Sequence, residues 1–179
     1  MNRRTTAVPI AVLALVLSLA ACGDDGSGGD AAAPTSRSCE TRSGTADAPA
    51  GIATDLAEKP EVPTTDAAPP CGLQTSDVVA GDGAEAVEGT TVAVKYVGAF
   101  YGTGEEFDSS WSRGEDETLP VTVGAGQVIP GFEQAIAGMQ VGGRRMVTIP
   151  SDLGYGPTGQ GPIPADATLV FVLDLVEAV

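Results

Sequence analysis

The side chains that carry most enzyme chemistry are scarce in this chain of 179 residues. It contains no histidine, which excludes Ser-His-Asp and Cys-His nucleophilic catalysis and most zinc sites. Ser109 and Ser110 follow Asp108, but without a neighbouring base neither hydroxyl is activated and the three residues read equally well as a turn. Gly124-Ala125-Gly126 lacks the rest of a dinucleotide fingerprint. Asp24, Asp25 and Asp30 lie among Gly and Ser in a pattern that fits a solvated linker better than a calcium loop. Twenty-four Asp and Glu against nine Lys and Arg give a net charge of −15. That balance argues against nucleic acid, whose phosphates need clustered cations, and Arg144-Arg145 is too small a patch to reverse it. What remains is aromatic: four Phe, three Tyr and one Trp, all between Tyr96 and Phe171.

The residues before that region read as an address. Arg3 and Arg4 precede an apolar run from Ala7 to Ala21 that Pro9 interrupts, too short for a lasting membrane span of about 20 residues. It ends Leu19-Ala20-Ala21-Cys22, which resembles a bacterial lipobox, so residues 1–21 are expected to be removed and Cys22 lipidated. An ordinary secretory signal is the alternative, and the paired arginines hint only weakly at twin-arginine export. The chain is then extracytoplasmic and held to the cell membrane through Cys22. Cys39 and Cys71 remain, an even pair in an oxidising compartment. They either stand as free thiols or form a bridge whose closed loop of about 33 residues contributes roughly 3–4 kcal/mol. Residues 22–70 are otherwise a Pro/Gly/Ala/Asp linker. From Gly23 to Pro70 there are six prolines, no aromatic, and only Ile52, Leu56 and Val62 as large aliphatics. Such a segment cannot offset its chain entropy by burial. Residues 23–38 are expected to be a flexible tether, while Gly51–Val62 lie along the folded domain if a disulfide pins them.

Residues 71–179 carry the elements that must position any site. Val92, Val94 and Tyr96 alternate on one face of a strand, and Tyr101-Gly102-Thr103-Gly104 turns the chain so that Glu106–Trp111 returns beside it. Leu119–Val123 and Arg145–Ile149 are further short strands. Leu169, Phe171, Leu173 and Leu175 share one face of a last strand, opposite Val170, Val172, Asp174 and Val176. Phe132, Ile136 and Met139 at i, i+4 and i+7 after Pro130-Gly131 predict one short helix that Gly138 and Gly142-Gly143 close. The fold class is α+β: an antiparallel sheet of about five strands wrapped around one short helix. A domain of this length buries roughly 65% of its unfolded surface and folds unaided.

Seven blocks then occur in order: Val94-Lys95-Tyr96-Val97-Gly98, Glu106-Phe107-Asp108-Ser109-Ser110, Gly126 to Phe132, Gly142-Gly143-Arg144-Arg145, Leu153-Gly154-Tyr155-Gly156, Ile163-Pro164 and Ala167 to Phe171. Together they resemble the FKBP-type peptidyl-prolyl cis-trans isomerases over about residues 71–179, and the lipobox and linker resemble exported bacterial members. The resemblance implies that Tyr96, Phe107, Val128, Ile129, Phe132 and Phe171 form the walls and floor of a proline pocket, with Phe132 where many members carry Trp. It implies that the Ile129 N–H and the Tyr155 hydroxyl donate to substrate carbonyls. Asp108 then holds Tyr96 and Arg113, and Leu119 and Ile163 contact the residue before proline. Leu153 replaces a frequent Tyr, and Gln160 stands where His is common in a loop one residue shorter. The implied partners are X–Pro segments of unfolded or exported proteins and macrolide-type inhibitors. No cofactor or metal is implied, and a monomer is expected.

Such chemistry needs neither base nor metal. Rotation about an amide is opposed by about 18–20 kcal/mol of lost conjugation, and X–Pro bonds populate both isomers with exchange over tens of seconds or longer. The twisted amide is less polar than the planar one, so a dry apolar slot favours it. Lowering the barrier by about 7 kcal/mol gives roughly 10⁵-fold. The alternative is a binding module or holdase that grips proline segments without turnover. For the address, Cys22→Ala should leave the domain folded and abolish lipid attachment, releasing the protein from the membrane fraction or stalling its processing. A membrane-bound, correctly processed Cys22→Ala protein would exclude the lipobox.

Overall fold

The computed structural model describes residues 44, 45, 47 and 50–179; Cys22, the leader, the tether and Cys39 lie outside them. The strands are β1 (Gly44–Thr45), β2 (Gln74–Val79), β3 (Thr91–Phe100), β4 (Glu106–Ser109), β5 (Leu119–Thr122), β6 (Arg144–Ile149) and β7 (Leu169–Ala178), with one α-helix, α1 (Pro130–Ile136). They form a single sheet in the order β1-β2-β6-β7-β3-β4, antiparallel except for the two-residue β1 beside β2, with β5 also on β3. The α+β class and the single helix are as expected. The additional strands are β1 and β2, and β2 escapes pattern reading because its Gln-Thr-Ser-Asp stretch is polar while Ser76 is buried.

β3 organises the sheet. Its first half pairs with β5 through Thr91–Val94 and its second half with β4 through Val97–Ala99, both along the edge away from β7. Val92, Val94 and Tyr96 face inward with 1%, 0% and 6% exposure, as the alternation requires. They join Leu169, Phe171, Leu173 and Leu175 of β7 and Phe132, Ala135 and Ile136 of α1 in one core. The helix is a turn shorter than the apolar spacing predicts. It ends at Ile136, and Met139 reaches the core from the following turn, where the Gly138 N–H donates to the Ala86 carbonyl.

The opposite face of the sheet is covered as well. Val97, Ala99, Val170 and Val172 are buried but stand outside the helix-side core. Residues 50–70 run over them as a strap that buries Ile52, Pro60 and Pro70. The Arg144 guanidinium fastens this strap. Nε and Nη2 donate to the two carboxylate oxygens of Asp174 at 2.6 and 2.7 Å, Nη1 donates to the carbonyls of Ala53 and Asp55, and Nη2 to that of Glu58. Gly51–Val62 do lie along the folded domain, the course expected of them with a disulfide at this end. The strap lacks a core of its own but borrows the back of the sheet, and it continues to Pro70. Cys71, just after it, is disulfide-bonded; its expected partner, Cys39, is among the residues not described. No helix among the described residues is long and apolar enough to cross a membrane.

Asp174 looks like a solvent-facing interruption of an apolar run in the sequence, yet it is 1% exposed. Burial pushes its carboxyl above the usual range, opposed by the hydrogen bonds and charge of Arg144. Arg144→Met should cost about 3–5 kcal/mol in denaturant unfolding, because it strands a buried charge and three carbonyls. Without its cation, Asp174 has a folded pKa raised further above the unfolded value. The variant's stability should therefore fall as pH rises through that window, making its deficit larger at pH 8 than at pH 5. An equal deficit at both would place the loss in packing alone.

Candidate active site

The site forms where β4 leaves the regular ladder. Gly98 of β3 pairs with Asp108, but Ala99 pairs with Glu106, so Phe107 is an extra residue in a β-bulge. In a regular strand Phe107 and Asp108 would point to opposite faces. The bulge turns both towards the helix side, where Phe107 lies edge-on to Phe171 at 5.6 Å between ring centroids. Gly98 supplies the room: a Cβ there would stand 2.7 Å from the Phe171 ring and 2.9 Å from that of Phe107.

Phe171 is the hub of the aromatic set. It packs edge-on against Phe132 at 5.3 Å and tilted against Tyr96 at 6.3 Å, and Phe132 meets Tyr96 edge-on at 5.9 Å. Edge-to-face packing of this kind holds rings at defined angles. The result is a cleft of about 410 Å³ whose floor is Phe132 and Phe171 and whose sides include Tyr96, Phe107, Val128 and Ile129. Leu119, Asp108 and Tyr155 complete its rim. Ile163 lines an adjoining cleft of about 240 Å³ that shares Phe107, Asp108 and Tyr155 with the first. Gly126, Gln127 and Gln160 also border the larger cleft, which sequence reading did not anticipate for the first two. Their loop is held by the Gln127 side-chain oxygen accepting from the Thr122 N–H at 2.8 Å and Glu133 accepting from the Gly126 N–H at 2.7 Å.

Arg113 lies off the cleft and acts on its polar edge. The Tyr96 hydroxyl donates to Asp108 Oδ2 at 2.5 Å, while Arg113 donates to Asp108 Oδ1 at 3.0 Å and to the Tyr96 hydroxyl at 2.9 Å. Asp108 also accepts from the Ser109 N–H. The two serines are pins: the Tyr96 N–H donates to Ser110 Oγ at 3.0 Å, and Ser109 Oγ donates to the Tyr96 carbonyl at 3.2 Å. By contrast, the Tyr155 hydroxyl and the Ile129 N–H have no acceptor among the described residues. Burial raises the pKa of both tyrosines above their ordinary value of about 10; for Tyr96 the hydrogen bond to Asp108 adds to this, and for Tyr155 the Asp108 charge does. Both hydroxyls stay protonated donors throughout the neutral range. No group of three or more Cys, Asp or Glu among the described residues is placed to hold a metal ion.

An aromatic-walled cleft on an antiparallel sheet, with two donors that have no acceptor among the described residues, suits planar, carbonyl-bearing ligands. Comparison with known proteins makes this specific. The family model for FKBP-type peptidyl-prolyl cis-trans isomerases matches residues 83–176, and the chain belongs to that family. An FK506-binding protein of Streptomyces anulatus is 50% identical over 121 residues, 66% of this chain and 96% of the relative. A probable FK506-binding protein of Corynebacterium glutamicum is 46% identical over 121 residues, 68% of this chain and 99% of the relative. The crystal structure of AtFKBP13 is similar at a TM-score of 0.56 with 35% identity, covering 62% of this chain and 95% of that one.

Gly98→Ala should test the bulge directly. The added methyl must displace Phe107 or Phe171, costing about 1–3 kcal/mol of stability. It should lower kcat/KM for X–Pro isomerisation by about tenfold or more through misplaced walls. Unchanged kcat/KM in the folded variant would mean that ring placement is not critical.

Proposed function

We propose that this isomerase is exported, held to the outer face of the cell membrane by a lipid on Cys22, and accelerates the folding of exported proteins by rotating their X–Pro bonds. The lipobox-like Leu19-Ala20-Ala21-Cys22 supports the address, and the disulfide at Cys71 fits an oxidising compartment. In the larger cleft a proline ring lies over Phe132 between Tyr96, Phe107 and Phe171. The Ile129 N–H and the Tyr155 hydroxyl donate to carbonyls on either side of the bond that turns, and Leu119 and Ile163 meet the residue before proline. Asp108 and Arg113 keep Tyr96 in place. The same cleft takes FK506-type macrolides, as the names of its relatives suggest.

The observation that carries the mechanism is the pairing of an aromatic floor with two donors that have no acceptor among the described residues. The planar amide loses hydration on entry, and the less polar twisted amide loses less. Carbonyl contacts at the rim hold the flanking chain while the bond rotates. How far desolvation and positioning each contribute is separable by mutation. Phe107→Ala and Asp108→Ala should each reduce kcat/KM in a protease-coupled assay on X–Pro peptides. Tyr155→Phe should reduce it only modestly, since one hydrogen bond worth about 0.5–1.5 kcal/mol is lost.

The raised tyrosine pKa values give the pH dependence its sign. Protonated donors persist as pH rises, so kcat/KM should be flat between about pH 6 and 8 and decline only in the alkaline range where phenols ionise. A pipecolyl macrolide should inhibit competitively, and a chelator should have no effect. A bell-shaped profile centred near neutrality would instead require proton transfer, and peptide binding without turnover would make the domain a binding module.

A further inference from the structure

The family model begins to match at residue 83; before it, the strap of residues 50–70 touches the domain at the hairpin from which the bulge emerges. Lys59 Nζ pairs with Glu106 at 2.8 Å, one residue before Phe107. The Thr65 N–H donates to the Gly102 carbonyl at 3.1 Å, and the Tyr101 hydroxyl donates to the Ala68 carbonyl at 3.3 Å. At Gly104, with φ +66°, a Cβ would stand 2.7 Å from the Val62 carbonyl. Across this hairpin Phe100 packs on Phe107 at 5.2 Å between centroids. The strap is anchored behind these contacts by Arg144 and Asp174, and by burial of Ile52 and Pro60.

We infer that the strap is a positioning element for the active site: by clasping the β3–β4 hairpin from the back of the sheet, it sets the place of the bulge and of the Phe107 wall. The physical need is clear. β4 has four residues, lies at an edge of the sheet and holds a bulge, so its own ladder fixes it weakly. Arg144 joins the strap to the central strands β6 and β7, and Lys59, Thr65 and Ala68 extend that rigid frame to the hairpin. Lys59 is a positioning residue; it lines none of the proline clefts and reaches the site only through Glu106.

The test rests on the isomerase reading and uses the full-length chain, with hydrogen exchange measured beside kinetics. Ile52→Asp should detach the strap. Amides of residues 99–107 should then exchange faster while those of α1 and β5 keep their protection, and kcat/KM should fall about three- to tenfold. Lys59→Glu should lower kcat/KM about twofold, the size an exposed pair supports, and adding Glu106→Lys to it should restore the rate. This charge-reversal pair also decides the matter if Ile52→Asp fails to fold. Rescue in the double variant supports the inference, because a merely structural ion pair would leave kcat/KM untouched throughout. An unchanged kcat/KM in Lys59→Glu, or unchanged hairpin exchange with the strap released, would overturn it. An inactive wild-type chain would overturn the isomerase reading instead.

Discussion

Consecutive residues of a strand point to opposite faces, and this site needs two consecutive residues on one face. The β-bulge at Phe107, set against the bare backbone of Gly98, resolves that conflict. It brings an aromatic wall and a carboxylate into the same cleft, and the other parts of the site are arranged around that pair. Phe171 meets the wall edge-on and Phe132 meets Phe171 in turn, while Tyr96 and Arg113 meet the carboxylate. Ser109 and Ser110 fasten the end of β4 to the Tyr96 backbone, which holds the carboxylate beside the ring it bonds.

The same economy governs charge. The chain is strongly acidic, and each of the five Lys and Arg among the described residues is engaged. Lys59 meets Glu106, Arg113 meets Asp108, Arg144 meets Asp174, Arg145 meets Asp77, and Lys95 lies over the Trp111 ring. The exposed pairs add little to stability. The buried one differs in kind, because all of the Arg144 nitrogens find acceptors and so join two strands to a segment that precedes residue 83, where the family model begins to match. A buried charge of this sort is tolerated only when every donor is matched.

Much of the site was legible in the residues themselves. The absence of histidine removed the common nucleophilic mechanisms, and the ordered blocks from Val94 to Phe171 resembled one family. Tyr96, Phe107, Asp108, Leu119, Val128, Ile129, Phe132, Tyr155 and Phe171 do border one cleft, with Ile163 in its neighbour. Alternation identified the inward faces of β3 and β7, because a half-buried strand leaves a period of two in its sequence. Composition left residues 50–70 open, since the expected course of Gly51–Val62 along the domain hung on a disulfide. Low hydrophobicity shows that a segment cannot make its own core, but says nothing about whether another element lends it one.

By itself the sequence determined the inward-facing residues, which follow from short-range periodicity, and excluded histidine-based catalysis, which follows from which side chains exist. The isomerase chemistry was implied by the resemblance of the ordered blocks to one family. The sequence also contained Gly98 and Asp174, each a visible exception within a strand, without showing what they served. The tertiary structure alone decided that Phe107 is an inserted residue, that Asp174 is buried opposite Arg144, and that Arg144 fastens the strap to the domain. Each of these depends on register or contact between segments separated by tens of residues. Such pairings are chosen by the packing of the whole sheet, which no local pattern encodes.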